Sequence, residues 1–332
     1  MNSNDGGGGK AEEAVRAFFL RSGYFAVRGV KFRFDFDGDD VTDLDIWAYG
    51  VGSLTNRERV VVDCKYKIRH AQAFERVLWV EGLRRATFTE RAVVATTDGR
   101  ESVRAFASRM QIRLIGPEML EQLISSNKAS ERLTEEDFSA AVLPLDDKLF
   151  GRIRERFDFA KSLLLRPDFD SINSYFADMR YYAEESTRSR TPEALARLFC
   201  LSASFLLVNL DFILRDAAFT EIGRIRSRID DGVRFGARGR AGANTILNAI
   251  GTKKKAEIMR AAETVRADLP AEFFAQHAGS EWFHQTALAL EGAAYRKAFL
   301  PVKQLPPAAQ SVIGLVLDFL GIDRHVIFGI GS

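Results

Sequence analysis

The fold of this chain is decided by Val41-Thr42-Asp43-Leu44-Asp45-Ile46-Trp47-Ala48-Tyr49-Gly50, followed after a polar turn by Arg59-Val60-Val61-Val62-Asp63-Cys64-Lys65-Tyr66-Lys67. Two apolar runs joined by Gly52, Ser53, Thr55 and Asn56 predict a β-hairpin with a longer loop. Its charges are oddly placed: Asp45 sits between Leu44 and Ile46, and Asp63 and Lys65 close a run of three valines. Side chains alternate faces along a strand, so Asp63 and Lys65 leave on one side, and Asp45 of the neighbouring strand can face them. An unpaired buried carboxylate is costly, and buried charges are normally paired or bound to metal. Two acids and an ammonium at the end of an apolar hairpin therefore predict a divalent-cation site. Magnesium prefers carboxylate oxygens and keeps positions open for water and phosphate. Asp43, two residues earlier on the same face, is the rival of Asp45.

Outward from the hairpin, Lys10 to Gly23 predicts a helix with Ala11, Ala14, Val15, Phe18 and Phe19 on its apolar face and Gly23 at its C-terminal cap. Glu12 and Glu13 lie in its first turn, where acids favour the helix dipole. The run Gly6-Gly7-Gly8-Gly9 has no strand before it, as a phosphate cradle requires, so residues 1–9 are expected to be a flexible tail. Phe25 to Phe36 predicts a strand. Asp35 to Asp40 is an acidic turn without the register of a calcium loop. After the hairpin come Lys67, Arg69 and His70, then a helix from Gln72 to Thr87 with Phe74, Val77, Leu78, Val80 and Leu83 as its buried stripe. Arg91 to Thr97 predicts a strand, Glu101 to Met110 a helix, Ile112 to Ile115 a strand and Glu118 to Ile124 a helix. The order α-β-β-β-α-β-α-β-α predicts a mixed sheet flanked by helices, an α/β domain.

Asp-Ile-Trp-Ala at 45–48 and Val-Val-Val-Asp-Cys-Lys at 60–65 resemble the D…(D/E)xK signature of the restriction-endonuclease-like, or PD-(D/E)xK, nucleases. The likeness is nearest to the branch of type IV restriction enzymes and Holliday-junction resolvases. It spans about residues 10–125, because the strand–Thr–helix–strand–Gly–helix order after Lys65 also agrees. It implies a restriction-endonuclease-like fold and metal-dependent hydrolysis of DNA leaving a 5′-phosphate. It implies that Asp45, Asp63 and the main-chain carbonyl of Cys64 hold Mg2+ or Mn2+. A glutamate of the first helix reaches the metal in that family. Glu12 fits its spacing best and Glu13 is one residue off. Lys65 would orient the attacking water and neutralise the phosphate, with Lys67 and Arg69 as phosphate contacts beside the metal.

The polar break Ser125 to Ser130 marks the expected domain boundary, giving a nuclease-like domain over 10–127 and a helical domain over 128–332. Helical spacing recurs in Leu149–Leu165, Ser171–Glu184, Pro192–Ala217, Ala256–Ala267, Glu281–Phe299 and Ala308–Leu320. Between them, 221–260 is rich in arginine, lysine and glycine. Arg234, Arg238, Arg240, Lys253, Lys254 and Lys255 are candidate phosphate contacts, with Phe235 to Arg240 a flexible backbone-binding loop.

Composition narrows the alternatives. In 332 residues the net charge is only +2, so a nucleic-acid surface must be local. The two cysteines are far apart and form no disulfide framework or zinc spacing, which fits the cytoplasm. Leu198 to Leu214 carries Asn209 and Asp211 and is too short for a membrane span, so it reads as a buried helix and no membrane partner is expected. His70, His277, His284 and His325 are scattered and support no Ser-His-Asp set. Gly251-Thr252-Lys253 lacks the leading glycine of a P-loop, so no nucleotide cofactor is expected. The partners expected are DNA and a second copy of the chain or a larger complex, in host defence or DNA repair. A non-catalytic binding subunit and an RNA nuclease are the alternatives.

Overall fold

The computed structural model describes residues 6–34, 39–53, 56–66, 72–127, 131–142, 152–248 and 252–331. The expectations for Met1–Asp5, for Asp35–Gly38, and for Lys67, Arg69 and His70 lie outside the described residues, as do those for the side chains of Lys253 and Lys254. The chain divides into two compact units, Met1–Ala140 and Ala141–Ser332.

The first unit holds helix α1 (Gly6–Arg21), strands β1 (Phe25–Arg33), β2 (Asp40–Val51) and β3 (Arg57–Lys65), and helix α2 (Gln72–Ala86). Strand β4 (Arg91–Thr96), helix α3 (Glu101–Arg109), strand β5 (Arg113–Ile115), helix α4 (Pro117–Ser126) and helix α5 (Glu135–Val142) follow. The five strands lie in the order β1-β2-β3-β4-β5. The first three are antiparallel, and β3, β4 and β5 are parallel. This is the mixed sheet that the order of elements predicts.

Both faces of the central strands are covered, which is why they read as continuous apolar runs rather than alternating ones. Ile46, Ala48, Val60, Val62 and Cys64 form one core with Ala11, Ala14, Val15 and Phe19 of α1 and Leu120 and Leu123 of α4. Trp47, Tyr49, Val61 and Asp63, also buried, leave the strands on the opposite side. Each fully buried aliphatic side chain here contributes about 1.5–3 kcal/mol. At the end of α1, Gly23 takes φ +83° and the Tyr24 N–H donates to the Phe19 carbonyl at 2.9 Å, the left-handed cap expected of that glycine.

Four local expectations need correction. Helix α1 begins at Gly6, inside the glycine run read as tail. A glycine costs a helix about 1 kcal/mol against alanine, but a Cβ on Gly9 would stand 3.2 Å from Glu136 Oε1, so the missing side chain makes room for a tertiary contact. Strand β1 stops at Arg33, and Phe34 is 78% exposed. Its pairing with β2 ends at a bulge between Phe32 and Arg33, where Asp40 pairs with Arg33 at 2.8 Å and Lys31 at 3.1 Å. In α2, Leu78 is exposed and Phe74 only half-buried, while Ala73 joins Val77, Val80 and Leu83 in the buried stripe. The first unit also continues past the polar break. Glu135 pairs with Arg16 at 3.1 Å and Glu136 with Arg28 at 3.0 Å, which ties α5 to α1 and β1.

The second unit is helical: α6 (Ile153–Ser162), α7 (Phe169–Ser186), α8 (Pro192–Ile213), α9 (Ile222–Phe235), α10 (Gly239–Asn248), α11 (Thr252–Thr264), α12 (Asp268–Ala275), α13 (Trp282–Ala294), α14 (Pro307–Leu320) and α15 (His325–Phe328). Helix α8 has the length and composition to cross a bilayer, but 94% of its apolar window is buried inside the protein. Its polar groups are matched there: Asn209 Nδ2 donates to the Leu163 carbonyl at 3.2 Å, and Arg197 Nη1 to the Ala294 carbonyl at 2.7 Å.

The stretch expected as a flexible loop is ordered. Phe235 to Arg240 runs from α9 through a short 3-10 turn into α10. Gly236 and Gly239 take φ +71° and +61°, where glycine is the unstrained residue. The Ala237 N–H donates to Asp170 Oδ1 at 3.0 Å and the Arg240 N–H to Asp231 Oδ2 at 3.0 Å. Carboxylates of the chain itself thus fill the amides that a phosphate would need.

Candidate metal and nucleic-acid site

The site forms where β2 and β3 part. Their pairing runs from Val51↔Arg57 to Ile46↔Val62. One step further, the Asp45 side chain takes over the role of strand backbone: its Oδ2 accepts the Cys64 N–H at 2.7 Å. That bond fixes the carboxylate at the sheet rim. Asp63 stands beside it, 1% exposed. Lys65 Nζ lies 3.4 Å from Asp45 Oδ2 and 3.6 Å from Asp63 Oδ1, so one half-exposed ammonium serves both acids. The sheet brings Asp45, Asp63, Cys64 and Lys65 together, as the alternation of the strands predicts.

Asp43 is exposed on β2 opposite Lys31, away from this convergence. Burial pushes the Asp45 carboxyl up to about 6, and the charges of Asp63 and Glu12 add to the rise, against Lys65 and the Cys64 amide. Burial, with the neighbouring carboxylates, also raises the Cys64 thiol well above its ordinary value, which rules it out as a thiolate nucleophile at neutral pH.

Glu12 is held by an ion pair. Its Oε2 pairs with Arg28 Nη2 at 2.7 Å. Arg28 is across from Ile46 in the β1–β2 register, which puts its side chain on the α1 face of the sheet. Burial works against the Arg28 charge, yet the hydrogen bonds it donates to Glu136 and Glu12 hold its pKa above the ordinary value. Glu13 is fully committed, with Oε1 on Arg16 at 2.6 Å and Oε2 on Arg28 at 2.9 Å. Of the two glutamates, Glu12 is therefore the one whose charge acts on Asp45, while Glu13 secures α1 to β1. Among the described residues, no three His, Cys, Asp or Glu side chains are gathered as a metal-holding group.

Sequence reasoning missed Arg76. From α2 its Nε donates to Asp63 Oδ2 at 2.9 Å and its Nη2 to Asp63 Oδ1, a two-pronged pair. Its guanidinium also lies 4.0 Å above the Trp79 ring. No local signal marks Arg76, since the spacing of α2 does not say which helix face meets the sheet rim. Arg28 did carry one, a charge within the apolar run of β1.

The chemistry of the donors fits a hard cation. Asp45 and Asp63 bring two carboxylates to one rim, the oxygen donors that a hard cation prefers, where burial resists their charge. Cations already neutralise that charge, and Arg76 engages both oxygens of Asp63. Any cation that took both oxygens of Asp63 would have to take the place of the guanidinium.

In the helical unit, Arg238 and Arg240 are exposed, with the Arg240 guanidinium 5.1 Å from the Phe235 ring. Arg234 is 14% exposed and turned inward. It pairs with Asp230 at 2.9 Å and donates to the Ala262 carbonyl at 3.0 Å, which gives it a structural task in place of the expected phosphate contact. Lys255 Nζ donates to Asn248 Oδ1 at 2.6 Å. A cleft of about 600 Å³ beside α9 offers Arg226 and Arg228 together with Asp230, Asp231, Asp268 and Glu272, a lining that does not favour phosphate. His277 lies in the turn after α12 and His284 in α13, with Gly279 at φ +78° between them, so no single helix carries both.

No protein-family model matches this chain, and no curated protein or solved structure does either.

Proposed function

We propose that this protein is a metal-dependent deoxyribonuclease with a restriction-endonuclease-like amino-terminal domain. The observation that carries the reading is the convergence of Asp45 and Asp63 on the Lys65 ammonium at the parting of β2 and β3. The order of elements and the mixed sheet support it. Asp45, Asp63 and the Cys64 carbonyl would hold Mg2+ or Mn2+, with Glu12 closing the site directly or through water. The metal would supply an acidified water and charge neutralisation at the scissile phosphate. Lys65, on the solvent side of both acids, orients the water and faces the developing phosphate charge. Arg238, Arg240 and the lysines of α11 supply backbone contacts from the helical unit. A cytoplasmic setting in defence or repair, as a dimer or within a complex, is part of the same proposal.

The two-pronged hold of Arg76 on Asp63 favours a second reading, a nucleic-acid-binding or scaffolding subunit whose acidic site is closed. One experiment separates them. Plasmid, single-stranded DNA, branched DNA and RNA are incubated with the protein in Mg2+, Mn2+ or EDTA, alongside Asp63→Ala and Lys65→Ala. Metal-dependent DNA cutting that falls about 100-fold or more in both variants is the expected result. Tight binding without cutting moves the assignment to the second reading, and cutting confined to RNA changes the substrate.

A further inference from the structure

We infer that Arg76 is an exchangeable internal counter-ion: it occupies the cation position on Asp63 in the metal-free protein, and a divalent metal binds by displacing it. The inference rests on the metal-site reading and adds to it the step by which the site is loaded.

Three observations carry it. Asp63 is buried and would be costly to leave charged and unpaired. Both its oxygens are engaged by one guanidinium, through Nε at 2.9 Å and through Nη2. A planar fork of this kind matches a carboxylate better than a point charge does. Lys65, by contrast, stands 3.6 Å away and is shared with Asp45, so it cannot by itself neutralise Asp63. A metal and Arg76 therefore compete for the same lone pairs.

The displaced guanidinium also has somewhere to go. Trp79 lies 4.0 Å beneath it on the same helix, and an arginine can lean on an aromatic face while its donors turn outward. Released from Asp63, Arg76 presents a full set of donors beside the metal, where a phosphate would arrive. Arg76 is thus a positioning residue in the free protein and a phosphate contact in the loaded one. The exchange makes metal and phosphate cooperative, because each favours the state in which Arg76 has left Asp63.

The test uses the full-length protein and Mn2+ alone, with bound metal read from the loss of the free-ion resonance signal. Wild type is compared with Arg76→Gln, which removes the charge, and Arg76→Lys, which keeps the charge without the fork. Asp63→Asn serves as the metal-ligand control. Arg76→Gln should bind Mn2+ about 10–100-fold more tightly than wild type, since a charge-assisted pair no longer opposes entry. Arg76→Lys should fall between them, and it decides the matter if Arg76→Gln does not fold. In wild type, the arginine Nε–H resonance absent from Arg76→Lys should shift as Mg2+ saturates the site. Folded variants that bind Mn2+ no better than wild type, or an Nε–H resonance unmoved at saturating Mg2+, overturn the inference and leave the metal site standing. Absence of Mn2+ binding in wild type and both Arg76 variants overturns the metal reading itself, and the exchange with it.

Discussion

Asp45 pulls against the stability of the fold it helps to shape. Its carboxyl is pushed from its ordinary value to about 6, first by burial and then by Asp63 and Glu12. The folded state therefore holds its proton more tightly than the unfolded chain does. The stabilisation from that proton is complete below the ordinary carboxyl range and is lost as pH rises through about 6. Asn keeps the acceptor for the Cys64 N–H and carries no charge. In EDTA, Asp45→Asn should be more stable than wild type at pH 7 by about 2–3 kcal/mol, the two converging near pH 4. Urea titrations across that range check it, and a difference that does not vary with pH would refute it. The acids and the lysine were legible in the sequence because charge inside an apolar strand needs a reason, and the two-residue period puts Asp63 and Lys65 on one side. Arg76 was not, since nothing local says which helix face meets a sheet rim. The tether of Glu12 to Arg28 was hidden likewise, because it depends on how α1 lies against β1.

At the scale of elements, the order of strands and helices in the first unit followed from periodicity and turn residues. The turn between α9 and α10 did not. Its glycines and arginines resemble a loop, and what orders it is distant: Asp170 caps the Ala237 amide from 67 positions away. Phosphate contact at this turn is therefore left to side chains. Each lost contact reduces the salt slope of duplex binding by about 0.9. Replacing Arg238 and Arg240 together by Gln should make the slope shallower by about 1.8. Binding measured between 50 and 200 mM salt, roughly the range over which such contacts are felt, reads this directly. An unchanged slope would take the turn off the DNA surface.

For the molecule as a whole, the first unit carries its own core and closes its own ion pairs through α5. Residues 1–140 expressed alone should unfold in a single cooperative thermal transition and still bind Mn2+. A fragment without a transition would show that the sheet depends on the helical unit. The helical unit makes a different demand on the cell. Helix α8 packs chiefly on α7 and α13, and α13 begins about 70 residues after α8 ends. At translation speeds of about 5–20 residues per second, a greasy rod stands half-wrapped beside the ribosome for roughly 3–14 seconds. Chaperones that shelter such segments are the natural guardians of this chain during its synthesis, and truncations just before Trp282 should aggregate.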